Sequence, residues 1–172
     1  SGPASMTVAR DLLPLGYDVV MFERDKKAGG MMRSQIPAFR LPETVLDEEL
    51  NYIINMGLEC HFGEEITSLD KLLQAHFDAI FVGTGAPSGR WLKIPGHDQL
   101  DPKSTHPQID TGINWLANVS FEHLNYSDEN PAPKKVIVLG GGNTAMDCCR
   151  TAKRLGAEEV TVLVRSSFET MK

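Results

Sequence analysis

Six consecutive residues, Gly140-Gly141-Gly142-Asn143-Thr144-Ala145, have the types and spacing needed to hold a pyrophosphate. They fit G-x-G-x-x-A, and each fixed position has a physical task. Gly140 permits a tight turn, Gly142 lets a phosphate approach the backbone, and Ala145 lets a helix pack closely on a strand. Asn143 and Thr144 fall in the first turn of the helix that should follow, where free N–H groups and a positive dipole face an anion. The next strand is expected to end at Val164-Arg165, where a dinucleotide fold discriminates between riboses. A carboxylate there would bond a ribose 2′-hydroxyl. Arg165 instead suits a 2′-phosphate, which favours NADPH over NADH.

A second set of glycines stands at the start of the chain. Gly2-Pro3-Ala4-Ser5 has the spacing of the tail of G-x-G-x-x-G, with Ser1 as the first variable residue and Ser5 at the third glycine position. The first glycine and its strand would then precede residue 1. Glu23 follows about 20 residues on, at the end of a hydrophobic run, as recognition of a ribose 2′-hydroxyl requires. Glu23 is therefore a candidate for an adenosine ribose, against the alternative of a surface glutamate at a strand end.

Positioning two such motifs takes strands that feed helices. Pro3 suits a first helical turn, Met6–Leu13 reads as a helix, and Gly16 ends it. Tyr17–Glu23 reads as a buried parallel strand. Gly29-Gly30 form a turn, and Met31–Pro42, with two prolines, reads as irregular. Val45, Leu46, Leu50, Ile53 and Ile54 give Glu43–Met56 helical spacing, with Gly57 closing it. Leu58–Phe62 reads as a strand, Ser68 as the cap of a short helix over Leu69–Ala75, and Phe77–Val82 as a buried strand running into Gly83-Thr84-Gly85. Pro87 to Pro107 holds four prolines and reads as loop. Ile109–Val119 reads as a helix and Tyr126–Pro133 as a linker. Val136–Leu139, Thr144–Leu155 and Val160–Val164 then make strand, helix and strand, with Gly156 between the last two.

This alternation predicts an α/β fold with parallel, Rossmann-like sheets: two nested dinucleotide-binding units, both incomplete. Residues 1–96 are expected to form an FAD-binding domain lacking its first strand, 97–133 a crossover, and 134–172 the start of an NAD(P)H-binding domain. A chain cut in this way is expected to be a fragment of a larger protein, and alone to be unstable, dimerised or completed by something else.

The rest of the composition excludes more than it assigns. Apolar residues are 41% of the 172, and 23 acidic against 17 basic residues give a net charge of −6. An acidic chain lacks the basic footprint of a nucleic-acid binder. No apolar run is long enough to span a bilayer, and no leader is evident, which points to the cytoplasm. The three cysteines, Cys60, Cys148 and Cys149, form no CxxC and read as reduced thiols. They cannot supply the roughly four clustered ligands of a metal or iron–sulfur centre. His61, His97, His106 and His123 are scattered and read as structural or surface residues. Asp147 reads as a solvated helix residue or a group supporting the site from behind.

Several segments together resemble the glutamate synthase small-subunit family and, in style, the flavin and NADPH domains of dihydropyrimidine dehydrogenase. They are GPAS at 2–5, FERDKKAGGMMRSQIPAFRLP at 22–42, GTGAPSGRWLKIPG at 83–96 and VIVLGGGNTAMDCCRTAKRLGAEEVTVLVR at 136–165. IPAFRLP after a double glycine is the most specific of them. The resemblance implies that Gly2, Pro3, Ala4, Ser5, Glu23 and Arg24 serve an FAD site, with Glu23 on its ribose. It implies that Gly29, Gly30 and Arg33 lie along the flavin and its pyrophosphate, and that Thr84, Gly85 and Ala86 form a second FAD loop. Gly140, Gly142, Asn143, Thr144 and Ala145 would cradle the NADPH pyrophosphate, with Arg165 at the 2′-phosphate. Ser166 stands where the family often has a second arginine. Iron–sulfur ligands, which the family carries in an N-terminal extension, would lie in other regions or in a partner.

The expected activity is hydride transfer from NADPH to FAD, with electrons passed to iron–sulfur centres, further domains or a larger catalytic subunit. Hydride transfer demands no protein acid or base, so no catalytic residue is assigned. Two alternatives stand beside it: a disulfide reductase of the thioredoxin reductase type, whose CxxC is not present, and a non-catalytic nucleotide-binding or assembly module, which could be a homo-oligomer.

Overall fold

The computed structural model describes residues 1–89, 95, 109–121, 124, 126, 132–167 and 169. The chain divides into two compact units, Ser1–Ala86 and Pro87–Lys172.

The first unit begins with helix α1, Pro3–Leu12. Gly2 precedes it in extended conformation and Pro3 occupies the first turn, where a missing N–H costs nothing. Met6 and Ala9, one turn apart, turn the same face into the core. Leu13 is still αR, but Pro14 has no N–H to continue the helical ladder, and the chain tightens into a 3₁₀ turn over Leu13–Leu15 and reverses at Gly16, whose φ is +86°. Strand β1, Val20–Glu23, follows. It is shorter than expected: Tyr17 is exposed, and only Met21 of the strand is fully buried.

A short helix, α2 (Met31–Ser34), occupies the segment read as irregular. Four residues are too few to show helical periodicity, so the sequence carries little sign of it. Helix α3, Glu43–Ile54, buries Leu46 and Leu50 at the expected four-residue spacing. Strand β2, Glu59–Phe62, pairs parallel to β1, with Met21 opposite Cys60 and Phe22 opposite His61. Helix α4, Leu69–Leu73, starts after Ser68, although the Ser68 side chain makes no cap bond. Met6, Ala9, Met21, Leu46, Leu50 and Leu58 form the core between α1, α3 and the strand pair.

Phe77–Val82 is not a strand. It has no ladder among the described residues, and Phe77, Phe81 and Val82 are exposed. Composition alone does not make a strand: its N–H and C=O groups need a partner, and although Phe77 sets its ring edge-on to Phe22 of β1, none of the described strands pairs with this segment.

In the second unit, helix α5, Gly112–Ser120, buries Leu116. Strand β3, Lys135–Leu139, helix α6, Asn143–Arg154, and strand β4, Glu159–Leu163, form a βαβ element with parallel strands in register from Lys135↔Glu159 to Leu139↔Leu163. Helix α6 packs on both strands and on α5. It ends with Lys153 and Arg154 at the negative end of its dipole, and the Lys153 Nζ donates to the carbonyls of Ala157 and Glu158 at 3.0 and 2.8 Å. Asp147 is 4% exposed and belongs to the packed face of α6, so it is not a solvated residue. Most of the segment read as loop, most of the linker, and His97, His106 and His123 lie outside the described residues.

No helix among the described residues is long and apolar enough to cross a membrane, and no cluster of His, Cys, Asp and Glu among them has the makings of a metal site.

Candidate dinucleotide-binding loops

Within the first unit, three separated stretches meet. The Gly29-Gly30 turn runs against the start of the chain: the Gly29 N–H donates to the Ser1 carbonyl at 3.1 Å. A Cβ on Gly30 would stand 2.9 Å from the Gly2 Cα. A Cβ on Gly83 would stand 2.1 Å from Ser5 Oγ, and the Ser5 hydroxyl donates to the Gly83 carbonyl at 3.4 Å. Gly85, with φ +70°, lies near Met31, the first residue of α2. Gly30 thus lies on Gly2, and Gly83 on Ser5, forming a cradle at the N-terminus of the ten-residue helix α1, with open space where a Cβ on Gly2 would stand. The N–H groups of that first turn have no partners within the helix. The cradle has the backbone donors and the positive dipole end that a pyrophosphate requires, so the residues present fit such a group. Thr84, Gly85 and Ala86 are exposed beside it.

Glu23, the last residue of β1, is held at the same place. Its Oε1 accepts the Asp25 N–H at 2.9 Å. Its Oε2 accepts from the Ser1 nitrogen at 2.7 Å and from the Ser1 hydroxyl at 2.5 Å. Burial pushes the carboxyl up, but the Asp25 N–H and the two Ser1 donors outweigh it, and its pKa ends below the ordinary value. The carboxylate is therefore an ionised, oriented acceptor. Arg24, by contrast, is exposed and lies 3.8 Å from Asp25 Oδ1.

Arg33, which the resemblance sets along the flavin, lies against Gly29 and is held by three acceptors. Its Nε donates to the Ala28 carbonyl at 2.6 Å, its Nη2 pairs with Asp47 and its Nη1 with Glu43 at 3.4 Å. Only 7% of its side chain is exposed. Glu43 and Asp47 escaped the sequence reading. Their signal is an i, i+4 acidic pair on one helix face, a short way downstream of an arginine.

In the second unit the glycine loop follows β3. Gly140 has φ +126°, and its N–H donates to the Leu163 carbonyl at 2.8 Å. A Cβ on Gly140 would meet Ala145 Cβ at 3.9 Å, which joins two fixed positions of the motif. Around Gly142 no described atom lies within 4 Å of such a Cβ. Its φ of −81° is open to any residue, so a glycine there leaves room for an approaching ligand. Asn143 and Thr144 open α6 and are exposed. Arg165 is exposed, two residues beyond Leu163, whose carbonyl accepts the Gly140 N–H. From behind, the start of α5 closes on α6: a Cβ on Gly112 would stand 3.1 Å from Cys148 Sγ and 3.3 Å from Thr144 Cγ2.

The three cysteines are free. Burial, then the neighbouring Asp147 charge, pushes the Cys148 thiol up to about 12. Burial also raises Cys60. Neither has the low pKa of a redox-active thiol. His61 is half-buried, stacks on Phe22 with ring centroids 5.0 Å apart and lies between Glu59 and Glu64.

The profile of the family described as pyridine nucleotide-disulphide oxidoreductase matches residues 1–170. The chain is 33% identical over 174 residues to the glutamate synthase [NADPH] small chain of Azospirillum brasilense, covering 99% of this chain and 36% of that protein. It is 32% identical over 171 residues to an NAD-dependent dihydropyrimidine dehydrogenase subunit of Escherichia coli O157:H7, covering 98% and 38%. The chain thus spans little more than a third of these relatives. In structure it is similar to FprA of Mycobacterium tuberculosis, with a TM-score of 0.71 at 18% identity, over 94% of this chain and 41% of the other. That likeness shows a Rossmann-like α/β fold. With the parallel strands and both glycine loops in place, the match across residues 1–170 means that the chain belongs to the pyridine nucleotide-disulphide oxidoreductase family.

Proposed function

We propose that the chain is part of an oxidoreductase of the glutamate synthase small-subunit type, which moves hydride from NADPH to FAD and electrons onward to iron–sulfur centres or a partner subunit. The observation that carries this reading is the packing of Gly30 on Gly2 and of Gly83 on Ser5 at the N-terminus of α1, beside Glu23, whose pKa is lowered.

In this reading residues 1–96 belong to the FAD-binding domain and 134–172 to the NAD(P)H-binding domain, with 97–133 crossing between them. Gly2 to Ser5, Gly29, Gly30 and Thr84 to Ala86 hold the FAD diphosphate region, with Arg24 at its edge, and Glu23 accepts from the ribose. Gly140, Gly142, Asn143, Thr144 and Ala145 hold the NADPH pyrophosphate, and Arg165 meets the 2′-phosphate. The relatives' names include both NADPH and NAD, so the preference for NADPH rests on Arg165. When bound, the two cofactors supply the redox chemistry themselves. The protein's share is to bind and orient them through backbone donors and two charged side chains. The IPAFRLP segment at 36–42 argues against a disulfide reductase of the thioredoxin reductase type. Free thiols fit a reducing, cytoplasmic setting, and the remaining domains of a parent protein or a larger subunit are the expected partners.

The test is the visible spectrum of the purified chain mixed with FAD, freed of unbound flavin, then titrated with NADPH without oxygen. Retained flavin bands that bleach support the reading. Flavin lost completely on gel filtration, with NADPH binding also absent, overturns it for this chain.

A further inference from the structure

The guanidinium of Arg33 is nearly enclosed and gives three of its five N–H donors to oxygens of Ala28, Glu43 and Asp47. Nε binds the Ala28 carbonyl at 2.6 Å, while Nη2 and Nη1 bind Asp47 and Glu43 of α3. The site of attachment matters. Ala28 is the residue before the Gly29-Gly30 turn. Gly29 lies directly against the arginine: a Cβ on Gly29 would stand 3.1 Å from Arg33 Cβ and 3.4 Å from its Nε. The other side of the turn touches the start of the chain, through the Gly29 N–H to Ser1 and through Gly30 against Gly2. A continuous line of charge-assisted and backbone bonds therefore runs from Asp47 through Arg33 and Ala28 to Ser1, and from Ser1 to Glu23. Gly29 and Gly30, at φ +130° and +50°, have no side chains with which to fix the turn themselves.

We propose that Arg33 is a positioning residue: anchored by Asp47 and Glu43, it holds the Gly29-Gly30 turn against Gly2 and so sets the width of the FAD cradle. This rests on the reading of that cradle as an FAD site. A planar donor fork that bridges a carboxylate and a carbonyl suits the task, because its geometry leaves little freedom at either end. Asp47 is not among the described atoms that crowd Gly2, Gly30, Gly83 or Gly85, so it reaches the cradle through Arg33.

That separation gives the experiment. The FAD dissociation constant of the chain is measured by flavin fluorescence for the wild type, Arg33→Gln, Asp47→Asn and the exchange Arg33→Asp with Asp47→Arg. NADPH binding and the thermal unfolding midpoint are followed in parallel. Each single variant is expected to weaken FAD binding on the order of tenfold, the exchange to recover most of the loss, and NADPH binding to stay unchanged. If Arg33→Gln weakens FAD while Asp47→Asn does not, Arg33 touches the cofactor itself and the proposal fails. It fails also if neither variant matters, if NADPH binding falls in step with FAD, or if the exchange restores the unfolding midpoint but not FAD affinity. A wild-type chain that binds no FAD is a different result: it removes the FAD reading first, and this proposal with it.

Discussion

Gly30 and Gly2 touch backbone to backbone, so close that a Cβ on Gly30 would stand 2.9 Å from the Gly2 Cα. Gly30 also has φ +50° and ψ −132°, a conformation that L side chains rarely adopt. Gly30→Ala therefore meets two obstacles, backbone strain of about 1–3 kcal/mol and a clash with an atom that cannot swing aside. The variant should unfold at lower denaturant and lose retained flavin. Equal midpoints for variant and wild type would mean that the turn relaxes freely and that the cradle is not tightly set.

Glu23 makes the stability of the first unit depend on pH. Its folded pKa lies below its ordinary value of 4.5, because bonds to Asp25 and Ser1 outweigh burial. A depressed carboxylate contributes stability above its unfolded pKa and loses it as pH falls through the folded one. Glu23→Gln should thus cost about 1–2 kcal/mol at pH 7, and the gap should close in the acid range below pH 4.5. Urea unfolding of both proteins across pH 3 to 7 tests this. A gap that stays constant across that range would show that the charge of Glu23 plays no part.

Where the sequence was legible, and where not, follows from what each signal depends on. Helices α3 and α6 were readable because Leu46 and Leu50, and Cys148 and Ala152, repeat at a spacing set by the chain itself. The glycine loop at 140–145 was readable because each position answers to a local backbone need. The composition of Phe77–Val82 predicts a strand that does not form, because a strand depends on a neighbour that local composition does not report. Arg33 was placed by resemblance, and its partners Glu43 and Asp47 are set by tertiary packing.

The same segment gives an expected outcome in hydrogen exchange. Among the described residues no backbone bond holds the amides of 78–86, so they should exchange with protection factors under about ten. The Met21 amide, buried in β1 and paired towards β2, should be protected far longer. Strong protection across 78–82 would mean that these amides have found a strand partner, a second copy of the chain being the first to examine by sedimentation.

Cys148 should resist alkylation in the folded chain. Its thiol is pushed up to about 12 by burial and by Asp147, and the Sγ faces the Gly112 carbonyl at 3.7 Å. At pH 8 only about one thiol in ten thousand would be ionised, against about one in four for an ordinary cysteine. Iodoacetamide should leave Cys148 unmodified in native buffer and label it in urea. Labelling at the rate of free cysteine would place the sulfur in solvent and undo the packing of α5 on α6.

Arg165 decides the nicotinamide cofactor in this reading, and its setting makes the test direct. It is exposed two residues beyond Leu163, the residue of β4 to which the Gly140 N–H is tied. Its removal should leave the βαβ core and the pyrophosphate loop intact. A charge-assisted bond to a 2′-phosphate exists only with NADPH, so Arg165→Ala should weaken NADPH binding by about tenfold, or 1.4 kcal/mol, and leave NADH unchanged. The loss should shrink at high salt, since the contact is exposed and ionic. Titration of nicotinamide fluorescence with both cofactors, at two salt concentrations, measures the ratio. If the two affinities fall together, Arg165 acts on a feature the cofactors share, and selection between them lies with other residues.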